Sequence, residues 1–270
     1  MNFFAWLFKR KPKQLKIGLA LGSGGAKGFA HLGALKAFEE NGITFDLIAG
    51  TSIGSVIGAF YAQGYSSTDI AELIRRIDIG EVTNAFMLKM DTSGMFNVID
   101  RELGSLTFDE MKKPFRAIAT KLESGEEHVF SSGSVAKAVS ASSSIPPFFK
   151  PALVDGERYV DGAFTNSVPS DVVREMGADY VVAIDLSTRE SKNGILKKIF
   201  PTYNSSVKEP WAKGYAYADV ILHPDLNEYS SVSIGSGAKM YDVGYQCAMN
   251  YVQQIKEDID ALKSGKKIKK

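Results

Sequence analysis

Gly50-Thr51-Ser52-Ile53-Gly54 constrains the fold of this chain more than any other feature. An apolar run, Phe45 to Ala49, enters it, and a helical pattern of small and apolar residues, Ile53 to Gln63, leaves it. Strand, tight turn and helix in that order form the setting of a nucleophilic serine. Glycines at 50 and 54 allow the chain to turn sharply, with unusual backbone angles and no Cβ atoms in the way. The turn leaves Ser52 at a helix N-terminus, where backbone N–H groups and the helix dipole favour negative charge. So short a motif recurs by chance in unrelated proteins, so its meaning depends on its surroundings.

Two further segments supply those surroundings. Lys16 to Leu21 reads as a buried strand, and Gly22-Ser23-Gly24-Gly25-Ala26-Lys27-Gly28 follows it directly. That run opens a helix whose apolar positions include Leu32, Leu35 and Phe38. A glycine-rich loop at a helix start is a nest of N–H donors, which can bind a phosphate or form the oxyanion hole of an acyl-transfer enzyme. Glycines at 22, 24, 25 and 28 exceed what a simple packing turn needs. The other segment, Tyr159-Val160-Asp161-Gly162-Ala163, is a short apolar approach to an Asp-Gly turn and by itself signals only a turn.

These three segments, in this order, resemble the patatin-like phospholipase family, and within it the bacterial serine lipid acyl hydrolases. The resemblance runs over nearly the whole chain, from about Leu15 to the C-terminal helix. It implies a three-layer α/β fold with a central, largely parallel sheet flanked by helices. It also implies hydrolysis of fatty-acyl ester bonds of lipids or phospholipids through a Ser-Asp dyad and an acyl-enzyme, with no cofactor and no metal. On the matching positions Ser52 is the nucleophile, Asp161 its base, and the N–H groups of Gly24, Gly25 and Ala26 the oxyanion hole. Gly22, Lys27, Gly28, Gly50, Gly54 and Gly162 support the motifs. Ser23 stands where the family usually has glycine and Lys27 where arginine is commoner, and neither change removes a backbone donor. Ala141-Ser142-Ser143-Ser144-Ile145-Pro146, and Asn166 and Pro169 beyond the Asp-Gly-Ala turn, extend the resemblance.

Composition agrees. At 270 residues with 44% hydrophobic content, the chain is long enough to bury roughly 75% of its unfolded surface in one core. A formal net charge of +1 makes no case for nucleic-acid binding. The lone Cys247 cannot form an intrachain disulfide, reads as a small buried helix residue, and points to a cytoplasmic protein. No run approaches the roughly 20 apolar residues of a spanning helix.

The expected organisation is an apolar-basic N-terminal segment over 1–14, a hydrolase domain over 15–262 and a basic tail over 263–270. In the first, Phe3, Phe4, Trp6, Leu7 and Phe8 precede Lys9, Arg10, Lys11 and Lys13. That order is wrong for a secretory signal and suits an interfacial anchor on an anionic membrane, on the inner face of the cell membrane. Strand and helix signals alternate along the rest, as in an α/β layered domain. Strands are expected near Lys16–Leu21, Leu47–Ala49, Phe115–Lys121, Glu127–Ser131, Tyr180–Asp185 and Val220–His223. Helices are expected over Ala26–Glu40, Ile53–Gln63, Ser67–Ile77, Val135–Ala141, Ser170–Met176 and Ala238–Ile259. Asn84 to Asn97 reads as irregular, with apolar side chains suited to an acyl pocket or to satellite core, and Ser187 to Gly214 as a long mobile loop. Oligomeric state is not readable.

Other chemistries use the same residues. A Ser-Asp-His triad of the α/β-hydrolase type could enlist His223 with Asp161 or Asp185, although that fold usually carries its serine after several strands, and here one strand-helix unit precedes it. His31 reads as a packing or helix-capping residue, and His128 as an ordinary surface residue. A dinucleotide site would use Gly22, Gly24 and Gly28, but Lys27 holds the third glycine's position and no acid ends the second strand, since Asp46 begins it. A catalytically silent membrane-binding module is the third reading.

Overall fold

The computed structural model describes residues 14–76, 93–187, 193–201, 203, 205–232 and 235–268. Its centre is a set of short apolar runs that form strands buried on both faces, as parallel strands covered by helices must be. β1 (Ile17–Leu21), β2 (Leu47–Thr51) and β7 (Tyr180–Ile184) are buried at every position. They align in parallel with β3 (Phe115–Lys121) and β8 (Val220–Leu222) in the order β3-β2-β1-β7-β8. An antiparallel flank of β4 (Glu127–Phe130), β5 (Ala152–Val154) and β6 (Glu157–Asp161) completes an eight-stranded sheet.

The two-residue period of a strand sends alternate side chains into two cores. Leu19, Leu21, Ile48, Val182 and Ile184 face a larger core built with α1 (Phe29–Glu40), α2 (Ile53–Ala62), α3 (Ser67–Arg76), α5 (Val135–Ser142) and α9 (Gly237–Lys263). Ala20, Leu47, Ala49, Val181 and Ala183 face a second core against α6 (Ser170–Glu175). Helices thus cover both faces of the sheet, giving the expected three layers.

All six expected strands and all six expected helices are present, with ends shifted by a few residues at most. Three short helices depart from expectation. α4 (Ser93–Leu103) occupies the described end of the stretch read as irregular, and buries Val98, Ile99 and Leu103. α7 (Asn193–Ile199) lies within the segment expected as a loop, and α8 (Ala212–Tyr217) begins at its end and runs three residues beyond it. The polar composition of α7 hides it, but its Leu196 packs with Phe164 and Tyr203, so tertiary burial supplies what propensity does not. The aromatic-basic N-terminal residues 1–13 and residues 84–92 of the Met-rich stretch lie outside the described residues. No described helix is long and apolar enough to cross a membrane.

One detail of register places the site. Ile118 of β3 pairs with Thr51 on one side and Val129 on the other, while Ala119 pairs with Asp161 and His128. β2 and β6 therefore share one edge of β3. They run toward each other along it, and their last residues, Thr51 and Asp161, occupy successive positions.

Candidate active site

Ser52 follows β2 directly and caps α2 with φ +56° and ψ −127°, a left-handed backbone that a serine adopts only under constraint, at a cost of order 1–3 kcal/mol. The constraint comes from close packing. A Cβ on Gly50 would collide with the Gly54 carbonyl, and one on Gly54 with the Leu21 carbonyl, so only glycine lets strand, turn and helix approach this closely. The Ser52 carbonyl accepts from the N–H groups of Ser55 and Val56 and from the Ser55 hydroxyl, at 2.8, 3.2 and 2.7 Å. The Thr51 hydroxyl donates to the Asn166 carbonyl at 2.8 Å and ties the elbow to the segment after Asp161.

The Ser52 Oγ donates to Asp161 Oδ2 at 2.6 Å. Asp161 ends β6, is fully buried, and caps a short 3-10 turn by accepting the Ala163 N–H on its other oxygen at 2.8 Å. A Cβ on Gly162 would strike the Ile118 carbonyl, so the glycine lets this turn lie against β3. Both residues are also held by α5 and the chain just beyond it. The Ser142 hydroxyl accepts the Ser52 N–H at 2.9 Å, and the Ser144 carbonyl accepts the Asp161 N–H at 3.0 Å.

The glycine-rich loop leaves β1 beside β7, where the strand order changes direction, the usual place for a ligand crevice in an open sheet. It is pinned by Gly22 N–H to the Ile184 carbonyl and Ser23 N–H to the Ser167 carbonyl, both at 2.9 Å. Ser23 is not among the residues with left-handed backbone, so a side chain is tolerated there. Gly25 is left-handed at φ +58°, and a Cβ on it would meet the Ser231 carbonyl. Gly28 packs against Ile53 with no room for a side chain, and Lys27 is buried against the cleft. The N–H groups of Gly24 and Gly25 meet no acceptor among the described residues. Ala26 corrects the expectation of a third free donor, because its N–H donates to the Ser231 carbonyl at 2.8 Å. Ser52, Asp161, Gly24 and Gly25 line one cleft of about 160 Å³, together with Ile145, Phe164, Leu186 and Trp211.

His31, expected as a packing or capping residue, has a more specific place. It is fully buried on α1, and its Nε2 lies 2.8 Å from the Gly22 carbonyl. A carbonyl only accepts, so this nitrogen carries the proton, and Nδ1 has no partner among the described residues. Burial pushes its pKa down to about 4, only partly opposed by the Gly22 carbonyl and the charge of Asp185.

The other histidines stand apart. His223 Nδ1 sits 3.1 Å from the Asp185 carbonyl and 3.4 Å from its carboxylate, half-exposed, while His128 packs on Phe130 and Tyr159. No histidine lines the cleft, and the serine's hydroxyl is bonded to Asp161, so the three residues of a triad are not brought together. Asp46 accepts from the Ile17 N–H at the far end of the sheet, which leaves a dinucleotide no acid at the glycine loop. Cys247 is half-buried on α9. Among the described residues no group of three or more His, Cys, Asp or Glu gathers as metal ligands would. Behind the elbow lies a partly buried polar cluster that sequence reasoning missed. Asn166 donates to Asp171 at 2.8 Å, and Lys213 pairs with both Asp171 and Glu127. Burial and the nearby Asp171 raise the Glu127 pKa against the pull of Lys213.

Comparison with known proteins puts this geometry in a family. The family model for patatin-like phospholipase matches residues 19–174. Patatin-like phospholipase domain-containing protein 6 of Mus musculus is 30% identical over 268 residues, which cover 92% of this chain and 19% of that protein. Lysophospholipase NTE1 of Pyricularia oryzae is 24% identical over 293 residues, covering 93% of this chain and 19% of that one. The chain spans about a fifth of the length of the curated relatives it matches. In fold it is similar to the crystal structure of VipD from Legionella pneumophila, with a TM-score of 0.61 at 15% identity over 89% of this chain and 67% of that one. With more than half its length matched by the family model, and with Ser52, Asp161 and the glycine loop falling inside the match, this chain belongs to the patatin-like phospholipase family.

Proposed function

We propose that the chain is a serine hydrolase that cleaves a fatty-acyl ester of a lipid through Ser52 and Asp161 and an acyl-enzyme intermediate. The 2.6 Å contact from the Ser52 Oγ to Asp161 carries the reading. A neutral hydroxyl is a poor nucleophile, and a carboxylate within hydrogen-bond reach accepts its proton as the oxygen attacks the acyl carbon. Negative charge then grows on the carbonyl oxygen, where the N–H groups of Gly24 and Gly25 and the N-terminus of α2 stabilise it. Asp161 returns the proton to the departing alcohol, and water releases the acyl group by the reverse route. The names of the relatives, phospholipase and lysophospholipase, support a lipid ester as the substrate class.

A fluorophosphonate probe is expected to label Ser52 and no other residue, with labelling lost in Ser52→Ala; a tryptic map that places the adduct elsewhere overturns the assignment. The remaining organisation is part of the proposal. Residues 15–262 act as the hydrolase domain, 263–270 as a basic tail, and 1–14 as a peripheral anchor on an anionic membrane. Removing Met1 to Lys13 is expected to weaken sedimentation with anionic vesicles, more so at low salt, where attraction of about 1 kcal/mol per basic residue is least screened. Equal sedimentation of the truncated and full chains at every salt concentration would refute the anchor.

A further inference from the structure

The nucleophile's elbow, the base's turn and the glycine loop all meet one short stretch of chain, residues 165–167. The Thr51 hydroxyl, one residue before the nucleophile, donates to the Asn166 carbonyl at 2.8 Å. The Ser23 N–H, in the glycine loop, donates to the Ser167 carbonyl at 2.9 Å. Asp161 is joined through its own turn, in which the N–H groups of Thr165 and Asn166 donate to the Gly162 carbonyl at 3.0 and 2.9 Å. The Thr120 hydroxyl closes that turn onto β3, donating to the Asp161 carbonyl at 3.0 Å and lying 2.8 Å from the Thr165 hydroxyl. Thr51, Thr120 and Asn166 are fully buried. These bonds fix the spacing of Ser52, Asp161 and the loop only as well as residues 165–167 are themselves held.

What holds them is the Asn166 side chain. Its amide nitrogen donates to Asp171 Oδ1 on α6 at 2.8 Å and to Glu127 Oε1 on β4 at 3.3 Å. Both amide hydrogens are thus directed at carboxylates, a use that an ionised aspartate has no donor for and a serine only one. Asp171 is fully buried, and a buried carboxylate needs partners. Lys213 on α8 is one, pairing with Asp171 and, at 3.3 Å, with Glu127. The chain leading into α8 bears on the stretch a second time, since the Pro210 carbonyl accepts the Ser167 N–H at 3.0 Å. Neither Thr51, Asn166, Asp171, Glu127 nor Lys213 lines the cleft, so any effect they have on chemistry passes through other residues.

We propose that Asn166 is a positioning residue: anchored on Asp171 and Lys213, it makes residues 165–167 the common brace that sets Ser52, Asp161 and the glycine loop at their working distances. The proposal rests on the Ser52–Asp161 reading above and adds residues that touch no substrate. Loosening such a brace misplaces the reacting groups while leaving the walls of the cleft in place. A shift of about 1 Å there costs on the order of 10²-fold in rate, so the loss falls on kcat and not on KM.

The test measures hydrolysis of p-nitrophenyl butyrate by the full chain, with kcat expressed per serine titrated to completion by a fluorophosphonate, so that misfolded molecules are not counted. Asn166→Ala and Thr51→Val are each expected to lower that kcat tenfold to a hundredfold with KM changed less than threefold, and the double variant to be no slower than the slower single one. Thr51→Ser, which keeps the hydroxyl, and Asp171→Asn, which keeps an acceptor for the Asn166 amide, should recover most of the rate that Thr51→Val and Asp171→Ala lose. Thr51→Val replaces a hydroxyl by a methyl of the same shape, so with Thr51→Ser it decides the matter even if Asn166→Ala fails to fold. A kcat per titrated serine that holds while Tm falls overturns the proposal, because the bonds would then only stabilise the fold. Losses that multiply in the double variant, or that appear in KM alone, overturn it as well. Hydrolysis that survives Ser52→Ala instead overturns the reading on which the proposal stands.

Discussion

Two carboxylates stand at strand ends of the same sheet and meet different fates. Asp161 at the end of β6 and Asp185 just after β7 are both fully buried, and each accepts a short bond from a hydroxyl, Ser52 at 2.6 Å and Tyr215 at 2.5 Å. Asp185 also accepts the Ser187 N–H at 2.8 Å and faces His223. Burial alone would raise its pKa, but the bonds from His223, Tyr215 and Ser187 outweigh burial and hold it below the usual carboxylate value. Neither it nor its tyrosine lines the cleft, whereas Asp161 and Ser52 both do. Burial and a hydroxyl partner are therefore common to both acids. What separates them is whether that hydroxyl can reach a substrate.

The sharpest way to break the comparison is to remove each acid's charge. Asp161→Asn and Ser52→Ala are each expected to lower kcat/KM for a soluble ester by about 10⁴-fold, and the double variant to be no slower than either single one, because residues that act as a unit lose their effect together. Steady-state rates with circular dichroism as the folding control decide it. Losses that multiply in the double variant would show that the two do not act as one unit.

His31 sharpens the comparison from the other side of the glycine loop, since it tethers the loop without touching the cleft. His31→Ala leaves the buried Gly22 carbonyl without this partner, and is expected to lower kcat roughly tenfold to a hundredfold with little change in KM, less than the loss of an oxyanion donor itself. His31→Gln, which can still donate, should recover most of the loss. The same residue gives an acid limb to stability. Its folded pKa of about 4 lies below its ordinary 6.5, so between these values the unfolded chain binds the extra proton. Stability should fall as pH drops from 6.5 through 4, by about 3 kcal/mol in all, and His31→Gln should flatten that part of the curve. Urea titrations at fixed pH values measure it; an unchanged slope in the variant would remove His31 as the cause.

Legibility follows from how local each feature is. Ser52 was readable because the constraints on its elbow, Gly50 and Gly54, lie within two residues of it. Asp161 was not readable from its own surroundings, since an Asp-Gly turn is common. Its partner is 109 residues away, and only the shared edge of β3 joins them. The larger layers were legible through continuous apolar runs, while β5, of three residues, is too short and β6, of five, too polar to announce themselves. The engagement of Ala26 was beyond reach for a simpler reason. Its acceptor is a backbone carbonyl, and a carbonyl leaves no mark on the sequence. His31 carries a side chain that could have been noticed, but a lone histidine on an apolar helix face looks like core until its acceptor is known, and the serine run at 142–144 could be marked only as a segment, without the bond that Ser142 makes.

The smallest expected effect on activity is at His223, and it is the one that most directly tests what the two acids have in common. If Asp185 and His223 were a working pair, His223→Ala would cost orders of magnitude. In the fold His223 sits beside Asp185 outside the cleft, with the serine's proton already directed to Asp161. His223→Ala is therefore expected to keep kcat/KM within about tenfold, roughly 1.4 kcal/mol of transition-state stabilisation. Asp185→Asn should be felt in stability instead. It weakens several buried bonds at once, at a cost of about 1–3 kcal/mol, or some 2–9 °C in Tm for a chain of this size. A Tm that falls while kcat/KM holds would assign the Asp185 cluster to bracing the strand end behind the glycine loop. Rates that collapse in either variant with Tm unchanged would bring a histidine back into the chemistry and reduce Asp161 to an orienting role.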